Sequence, residues 1–243
     1  MTYPKLPNKH VHEALFKPID FVKYQKWNGK FPKKYIITYQ TSVLNYFKRK
    51  YRPKKIELYS LLTIYRYKDI GFIKMKGVGS PHSAAILEEL IALGGREFLN
   101  IGTAGGLQHE GIFLCNKSLR DEGTSYHYVS HGDYSYPDKK LTKRFGNFIK
   151  KQGLEYEEAA SWTIDAPYRE TKKEIQKYKR QGIATVEMEA SALFVVARYR
   201  KVKIASAFVV SDVLIKKWEP KFHSFNVKKS LNKLINAGME CLK

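Results

Sequence analysis

The sequence predicts an α/β fold, with a single domain in which a central mixed sheet is flanked by helices on both faces. Predicted helices and strands alternate along most of the chain. Residues 70–102 form a strand–glycine turn–helix–strand unit, which is typical of a parallel sheet with crossover helices. The 243 residues, of which 43% are hydrophobic, are enough for one large core. We therefore expect a single domain over residues 1–243, with an irregular N-terminal segment over residues 1–32.

The first predicted elements lead from that irregular segment to a glycine turn. Four prolines interrupt residues 1–32, where a short helix is predicted near 20–27. The elements predicted next are a strand at 34–39, a helix at 41–50 capped by Thr41 or Ser42, and strands at 55–67 and 70–77 joined at Lys68-Asp69. A helix follows the turn at Gly77 and Gly79, with Ser80 as its N-cap and Gly94-Gly95 at its end.

The second half of the chain continues the alternation around one long polar loop. The predicted strands are 97–102, 112–119, 156–164, 183–187 and 202–213, and the predicted helices are 138–152, 169–181, 188–200 and about 224–242. Residues 120–137 form a polar, aromatic loop whose length is uncommon inside a compact domain. Such loops are often functional, and residues 121–136 are a candidate contact between subunits.

The formal net charge of +21 raises the question of nucleic-acid binding. Lysine and arginine are spread along the whole chain, and the one dense run, KRKYRPKK at 48–55, contains Pro53, which breaks a helix. A solvated, lysine-rich surface is the favoured interpretation, because blocks of like charge are usually solvated. We do not expect nucleic acid as a partner, although the positive field favours anionic ligands.

Nothing in the sequence predicts a membrane or secretory segment. No apolar run reaches the ~18 residues that a membrane helix needs, and the N-terminal residues lack the apolar core of a signal peptide. The two cysteines, Cys115 and Cys241, lie in different contexts, which argues against a disulfide framework or a zinc site. We expect a cytoplasmic protein that binds no metal.

Four predicted strand ends carry residues that could bind a ligand, because ligands of open α/β sheets gather at the carboxyl ends of strands. They are residues 77–80, 102–106, 187–189 and 211–212. The glycine turns can bind phosphate or sugar through backbone N–H groups, but glycine is also common where the backbone needs a positive φ.

The carboxylates at two of these ends have a structural and a functional interpretation. Glu187 and Glu189 lie between an apolar strand and an apolar helix, where they either cap the helix or bind a ligand. Asp212 ends an apolar run, and it is either a turn residue or a proton donor whose pKa is raised by an apolar wall. The residues alone leave both questions open.

Three motifs together resemble the purine nucleoside/uridine phosphorylase superfamily. They are GVGSPHSAAILEELIALGGREFLNIGTAGGLQ at 77–108, VEMEASALF at 186–194 and FVVSDV at 208–213. RDEGTSYHY and TIDAPYRET add a likeness to the uridine-phosphorylase-type branch. The resemblance covers residues 70–215 well and residues 1–69 poorly. It implies a nucleoside phosphorylase-like fold and cleavage of an N-glycosidic bond in a nucleoside, with inorganic phosphate as co-substrate and no further cofactor.

The resemblance also implies roles for individual residues. Met188 and Glu189 match the positions that hold the ribose hydroxyls, with Glu187 beside them, and Asp212 matches the acid that assists departure of a purine base. The remaining matches are Thr103 and Gly102 in the phosphate-contacting turn, Tyr168 near the base, and His10 or His12 for the histidine that reaches a neighbouring subunit's 5′-hydroxyl. The family assembles as homo-oligomers, so a dimer or hexamer is expected.

The phosphate-binding arginines of the family are missing from this sequence. Asn100 occupies the position of one, Gln40, Thr41 and Leu44 stand in the first phosphate loop, and Tyr59-Ser60 stands where the neighbouring subunit's arginine would fall. Each lost charge-assisted contact is worth ~1.5–3 kcal/mol. Arg120, Lys48 or a neighbouring subunit could substitute for them.

Three functions therefore stay open. The chain is a phosphorylase with a rewired phosphate site, a nucleosidase that uses water, or a nucleoside-binding protein without catalysis. Residues 39–44 also lack the glutamate with which related nucleosidases activate water. Asp212 favours a purine nucleoside, whereas RDEGTSYHY favours uridine, and the sequence does not choose between them.

Overall fold

The computed structural model describes residues 3–130, 132–215 and 217–243, whose strands form one mixed sheet. The strands are β1 Lys34–Thr38, β2 Lys54–Tyr59, β3 Leu62–Tyr67, β4 Ile70–Lys74, β5 Glu97–Gly106, β6 Ile112–Asp121, β7 Tyr134–Ser135, β8 Glu157–Ile164, β9 Ile183–Glu187, β10 Lys203–Val213 and β11 Glu219–Pro220. The helices are α1 Pro18–Tyr24, α2 Thr41–Tyr51, α3 Ser80–Ala92, α4 Lys139–Lys151, α5 Lys172–Arg180, α6 Ala190–Tyr199 and α7 Phe225–Cys241.

The sheet is open at one side and closed at the other. Its strand order is β11-β10-β6-β8-β9-β5-β1-β4-β3-β2, and β10 also pairs with β5, so that β5, β10, β6, β8 and β9 close into a ring. β1, β4 and β5 are parallel neighbours, whereas β2, β3 and β4 form an antiparallel meander. The predicted mixed sheet is confirmed. In the described part of the chain, no helix combines the length and the hydropathy needed to cross a membrane.

Helices cover both faces of the sheet, as the sequence predicts. On one face, α2, α4 and α7 bury Phe47, Phe145 and Leu234 against the strands. On the other, α3 and α6 bury Leu87 and Phe194. The face under α3 and α6 leads directly to the carboxyl ends of β5 and β9, where the predicted site residues lie.

The segment predicted as one strand at 55–67 is a hairpin. β2 and β3 pair antiparallel around a turn at Ser60-Leu61, with an irregular register between Glu57 and Tyr59. The turn contains no glycine or proline, and apolar residues flank it on both sides, so the sequence pattern did not reveal it.

Helix starts and one loop also differ from the prediction. Gln40 rather than Thr41 or Ser42 is the N-cap of α2, and Gly79 rather than Ser80 is the N-cap of α3, with a φ of 100° that favours glycine. The loop at 121–136 contains a 3-10 turn, Ser125–His127, and the short strand β7. His131 of that loop lies outside the described residues.

Candidate active site

Three strands converge at Gly105, at the carboxyl end of β5. Gly105 pairs with Val186 of β9 on one side and with Asp212 of β10 on the other. A Cβ at this glycine would lie 2.5 Å from Leu214 Cδ1 and 2.9 Å from Val186 Cγ1. Residues 102–106 therefore continue the strand instead of forming the predicted turn, since their small side chains allow this close approach.

A cleft of about 270 Å³ opens at this convergence. Of the predicted site residues, Thr103, Glu187, Met188, Glu189 and Asp212 line it together, from three different strand ends. Glu170 also lines the cleft, between the 3-10 turn Pro167–Arg169 and α5. Among the described residues, the lining has four carboxyl groups and no lysine, arginine or histidine. The cleft is therefore acidic in a protein whose net charge is strongly positive.

Glu187 is fully engaged in holding the start of α6. Its Oε2 accepts hydrogen bonds from the backbone N–H groups of Glu189 (2.8 Å) and Ala190 (2.7 Å). Its Oε1 accepts from Thr163 Oγ1 (2.5 Å) and Ser161 Oγ (3.3 Å). Burial raises the pKa of Glu187, and these hydrogen bonds oppose the shift. The carboxylate acts as the helix cap, which is the structural interpretation that the sequence left open.

Glu189 is buried at the cleft and joins two of the predicted strand ends. Its Oε1 accepts a 2.6 Å hydrogen bond from the N–H of Gly79, at the start of α3. Ser80 Oγ donates to the carbonyl of Met188 at 2.8 Å, which fixes the same junction. Burial, followed by the charge of Glu187, raises the pKa of Glu189 to about 8. With such a pKa the carboxyl group of Glu189 is mostly protonated at neutral pH.

Asp212 and Glu170 form a second pair of carboxyl groups. Asp212 Oδ1 accepts from Ser211 Oγ and Oδ2 accepts from Trp218 Nε1, both at 3.0 Å. Glu170 has no hydrogen-bond partner among the described residues. Burial, followed by the charges of Asp212 and Glu174, raises the pKa of Glu170 to about 7. The two carboxyl groups therefore differ in their hydrogen-bond partners.

A hydrogen-bond network of uncharged side chains lies on the side of the cleft where the family resemblance predicts phosphate. Tyr39 OH donates to Asn100 Oδ1 at 2.9 Å, and Asn100 Nδ2 donates to Ser206 Oγ at 3.2 Å. Gln40 Nε2 donates to Thr103 Oγ1 at 3.0 Å. Tyr39 lines the cleft, whereas Asn100 is completely buried behind it and does not line the cleft.

Besides Asn100, three predicted residues lie away from the cleft lining. Gly102 is buried with the ring of Tyr39 against it, Tyr168 is fully exposed, and His10 lines a separate cleft beside the N-terminal segment. Their proposed roles stay predictions. In the described part of the chain, no group of three or more His, Cys, Asp or Glu side chains is placed to hold a metal ion.

Sequence reasoning missed Glu170 and the hydrogen-bond network of uncharged side chains. The segment TIDAPYRET was predicted to lie near the base, but the residue predicted to contact it was Tyr168 and not Glu170, two positions later. The partial burial of one charged residue in an otherwise polar, exposed segment is a tertiary feature, and no periodic pattern marks it.

Comparisons with known proteins agree with the geometry. The family model of the phosphorylase superfamily matches residues 41–243. A relative in Plasmodium vivax, a purine nucleoside phosphorylase, is 26% identical over 172 residues, which cover 68% of this chain and 70% of that protein. Other curated relatives match over shorter stretches. The uridine phosphorylase of Haemophilus influenzae is 26% identical over 136 residues, which cover 49% of this chain and 54% of that protein.

Solved structures extend the likeness to nearly the whole chain. An AMP nucleosidase from Bacteroides thetaiotaomicron superposes with a TM-score of 0.76 at 20% identity, covering 93% of this chain and 98% of that one. A uridine phosphorylase from Vibrio fischeri gives a TM-score of 0.71 at 22% identity, covering 90% and 97%. At these identities the likeness shows the fold.

Proposed function

The chain belongs to the phosphorylase superfamily, and from that premise we propose that it cleaves the N-glycosidic bond of a nucleoside in the cleft between β5, β9 and β10. The observation that carries the proposal is the convergence of Thr103, Met188, Glu189 and Asp212 on one cleft. These residues lie far apart in the sequence, and the family resemblance assigns each of them to one part of a nucleoside. The relatives' names, which include purine nucleoside and uridine phosphorylases, support the same reaction.

In this proposal Glu189 binds the ribose and stabilises its positive charge. Glycosidic cleavage passes through an oxocarbenium-like sugar, which a nearby carboxylate stabilises. Glu189 Oε1 is anchored on Gly79 N–H, so the carboxyl group has a fixed orientation towards the cleft. Binding of the ribose hydroxyls to the ionised form would draw the proton off Glu189, because hydrogen bonds to a carboxylate favour its charged state.

Asp212 stands on the opposite strand end, where the departing base would lie. The hydrogen bonds from Ser211 and Trp218 fix both of its oxygens. An oriented carboxyl group can bind a polar edge of the base and assist its departure. Purine and pyrimidine nucleosides are both substrates that this arrangement admits.

Phosphate is the acceptor that the family implies, and water is a second candidate that one observation favours. The described lining of the cleft offers four carboxyl groups and no cationic side chain for a phosphate dianion. Gln40 and Thr103 present only neutral groups on that side, and they bind each other. An anion would meet repulsion there unless a cation came from another subunit.

The proposal includes a cytoplasmic homo-oligomer, a dimer or hexamer, with the nucleoside as the small-molecule partner. In the described subunit, the N-terminal segment exposes Val11, Leu15 and Phe16. A neighbouring copy could cover these side chains and receive His10. This assignment rests on the family resemblance and on the exposed apolar side chains of that segment.

The test is a chromatographic assay of base release. Purified protein is incubated with a panel of purine and pyrimidine nucleosides, first in phosphate-free buffer and then with phosphate. Release that requires phosphate, with ribose 1-phosphate as the product, identifies a phosphorylase. Release of free ribose without phosphate identifies a nucleosidase. Binding of nucleosides without release of base from any of them would contradict the proposed reaction.

A further inference from the structure

We propose that Glu170 is the acid that delivers a proton to the departing base, and that Asp212 works beside it as a hydrogen-bond acceptor. This inference rests on the proposed function and deepens it. It reassigns the proton from Asp212, the residue that the family resemblance points to, to a residue in the segment that precedes α5. Three features of the described structure lead to it.

The first feature is the placement of Glu170. It directly follows the 3-10 turn Pro167–Arg169, whose Arg169 N–H donates to the carbonyl of Ala166 at 2.8 Å. It directly precedes Thr171, which forms a capping box with Glu174 at the start of α5. The backbone of Glu170 is thus fixed on both sides, and its side chain lines the cleft together with Pro167 and Asp212.

The second feature is the difference in hydrogen bonding between the two carboxyl groups. Both oxygens of Asp212 accept hydrogen bonds, from Ser211 Oγ and Trp218 Nε1. Among the described residues, no donor binds the carboxyl group of Glu170. Of the two side chains, Glu170 is therefore the one whose oxygens can both face a ligand in the cleft.

The third feature is the charge around Glu170. Among the described residues, the titratable side chains that line the cleft with it are Tyr39, Glu187 and Glu189 at the end of β9, and Asp212 on β10, and none of them is basic. Burial, followed by the charges of Asp212 and of Glu174 in α5, raises the pKa of Glu170 to about 7. A carboxyl group with such a pKa can donate a proton near neutral pH.

The proton balance of the step is complete. As the bond between C1′ and the base nitrogen breaks, its electron pair stays with the base, and the Glu170 O–H bond supplies the proton that keeps the base neutral. Glu170 becomes a carboxylate. The acceptor, water or hydrogen phosphate, loses one proton when its oxygen bonds to C1′, and that proton restores Glu170 through solvent.

The experiment compares two leaving groups. A nucleoside needs a proton on its base, whereas 4-nitrophenyl riboside releases a stable anion that needs none. Glu170→Gln should lower kcat for the nucleoside by about 10²-fold or more, and it should lower kcat for the nitrophenyl riboside far less.

The pH dependence of kcat is a second readout. The wild-type kcat for the nucleoside should fall as pH rises through about 7, and this fall should be absent in Glu170→Gln. Glu219→Gln, which removes an exposed carboxylate from the neighbouring β11, is the matched control and should leave all rates unchanged.

Each outcome decides one question. If Glu170→Gln lowers kcat equally on both substrates, the role of Glu170 is structural and the inference is overturned. The inference is also overturned if Glu170→Gln cleaves the nucleoside with the kcat of the wild type. If the wild-type protein cleaves neither compound, the proposed function fails, and the inference falls with it. Glu170→Ala provides a second variant, since added formate should restore part of its nucleoside cleavage if a carboxylic acid is what the site lacks.

Discussion

Replacing Glu189 with glutamine should change how the stability of the protein depends on pH. The carboxyl group is 6% exposed and lies beside Glu187, and its pKa rises from 4.5 to about 8 for those two reasons. Glutamine is nearly isosteric, and its Oε1 can still accept the hydrogen bond from Gly79 N–H. The substitution therefore removes the titration while it keeps the packing.

The sign and size of the effect follow from linkage between folding and protonation. Below pH 4.5 Glu189 is protonated in both the folded and unfolded states, so it adds no pH dependence. Between pH 4.5 and about 8 the unfolded chain is ionised while the folded protein keeps its proton, so stability falls as pH rises. The slope is about 1.4 kcal/mol per pH unit, and the total is about 5 kcal/mol once both states are ionised.

The assay is urea unfolding of the wild type and Glu189→Gln across this pH range. The free energy of unfolding of Glu189→Gln should exceed that of the wild type by an increment that grows with pH and levels off above about 8. The exposed Glu155→Gln is the control, and its difference from the wild type should stay flat. A flat difference for Glu189→Gln as well would refute the claim that this carboxyl group is buried and protonated.

Three further substitutions test other contacts of the site. Asp212→Asn should leave the fold intact and lower kcat about 10²-fold; unchanged base release would remove Asp212 from the mechanism. Gly79→Ala, at a φ of 100°, should cost about 1–3 kcal/mol of stability and raise KM by displacing Glu189. The matched Gly182→Ala, at a φ of 77° in an exposed turn, should cost stability alone, and an equal KM effect in both would contradict this account. Thr163→Val removes the shortest hydrogen bond to Glu187 and should cost about 1–3 kcal/mol in unfolding experiments, whereas a neutral result would show that Glu187 does not depend on it.

The sequence was sufficient to predict the fold where its patterns are periodic. The alternation around α3 predicted a parallel sheet, and β4 and β5 both run parallel to β1, which lies between them. The long apolar run of β10 predicted a buried strand. The prediction was wrong where no local signal exists. The hairpin turn at Ser60-Leu61 contains no glycine or proline. The strand character of residues 102–106 depends on β9 and β10, which approach from distant parts of the chain.

The site was predictable in its location and less so in its roles. Motifs at three strand ends were sufficient to predict that Thr103, Glu189 and Asp212 lie together. The sequence could not distinguish a capping carboxylate from a ligand-binding one, because Glu187 and Glu189 stand in almost identical local patterns. The donors that separate them, Thr163 and the N–H of Gly79, come from other elements.

The most direct test of the central claim is the rate of base release by the wild type and by Glu189→Gln, measured side by side on the nucleoside that the wild type cleaves fastest. The account predicts that the wild type releases the free base and that Glu189→Gln is slower by about 10²-fold or more, since it lacks the charge that stabilises the oxocarbenium-like sugar. Equal rates would show that bond cleavage takes place outside this cleft. No release by the wild type from any nucleoside would contradict the proposed reaction itself.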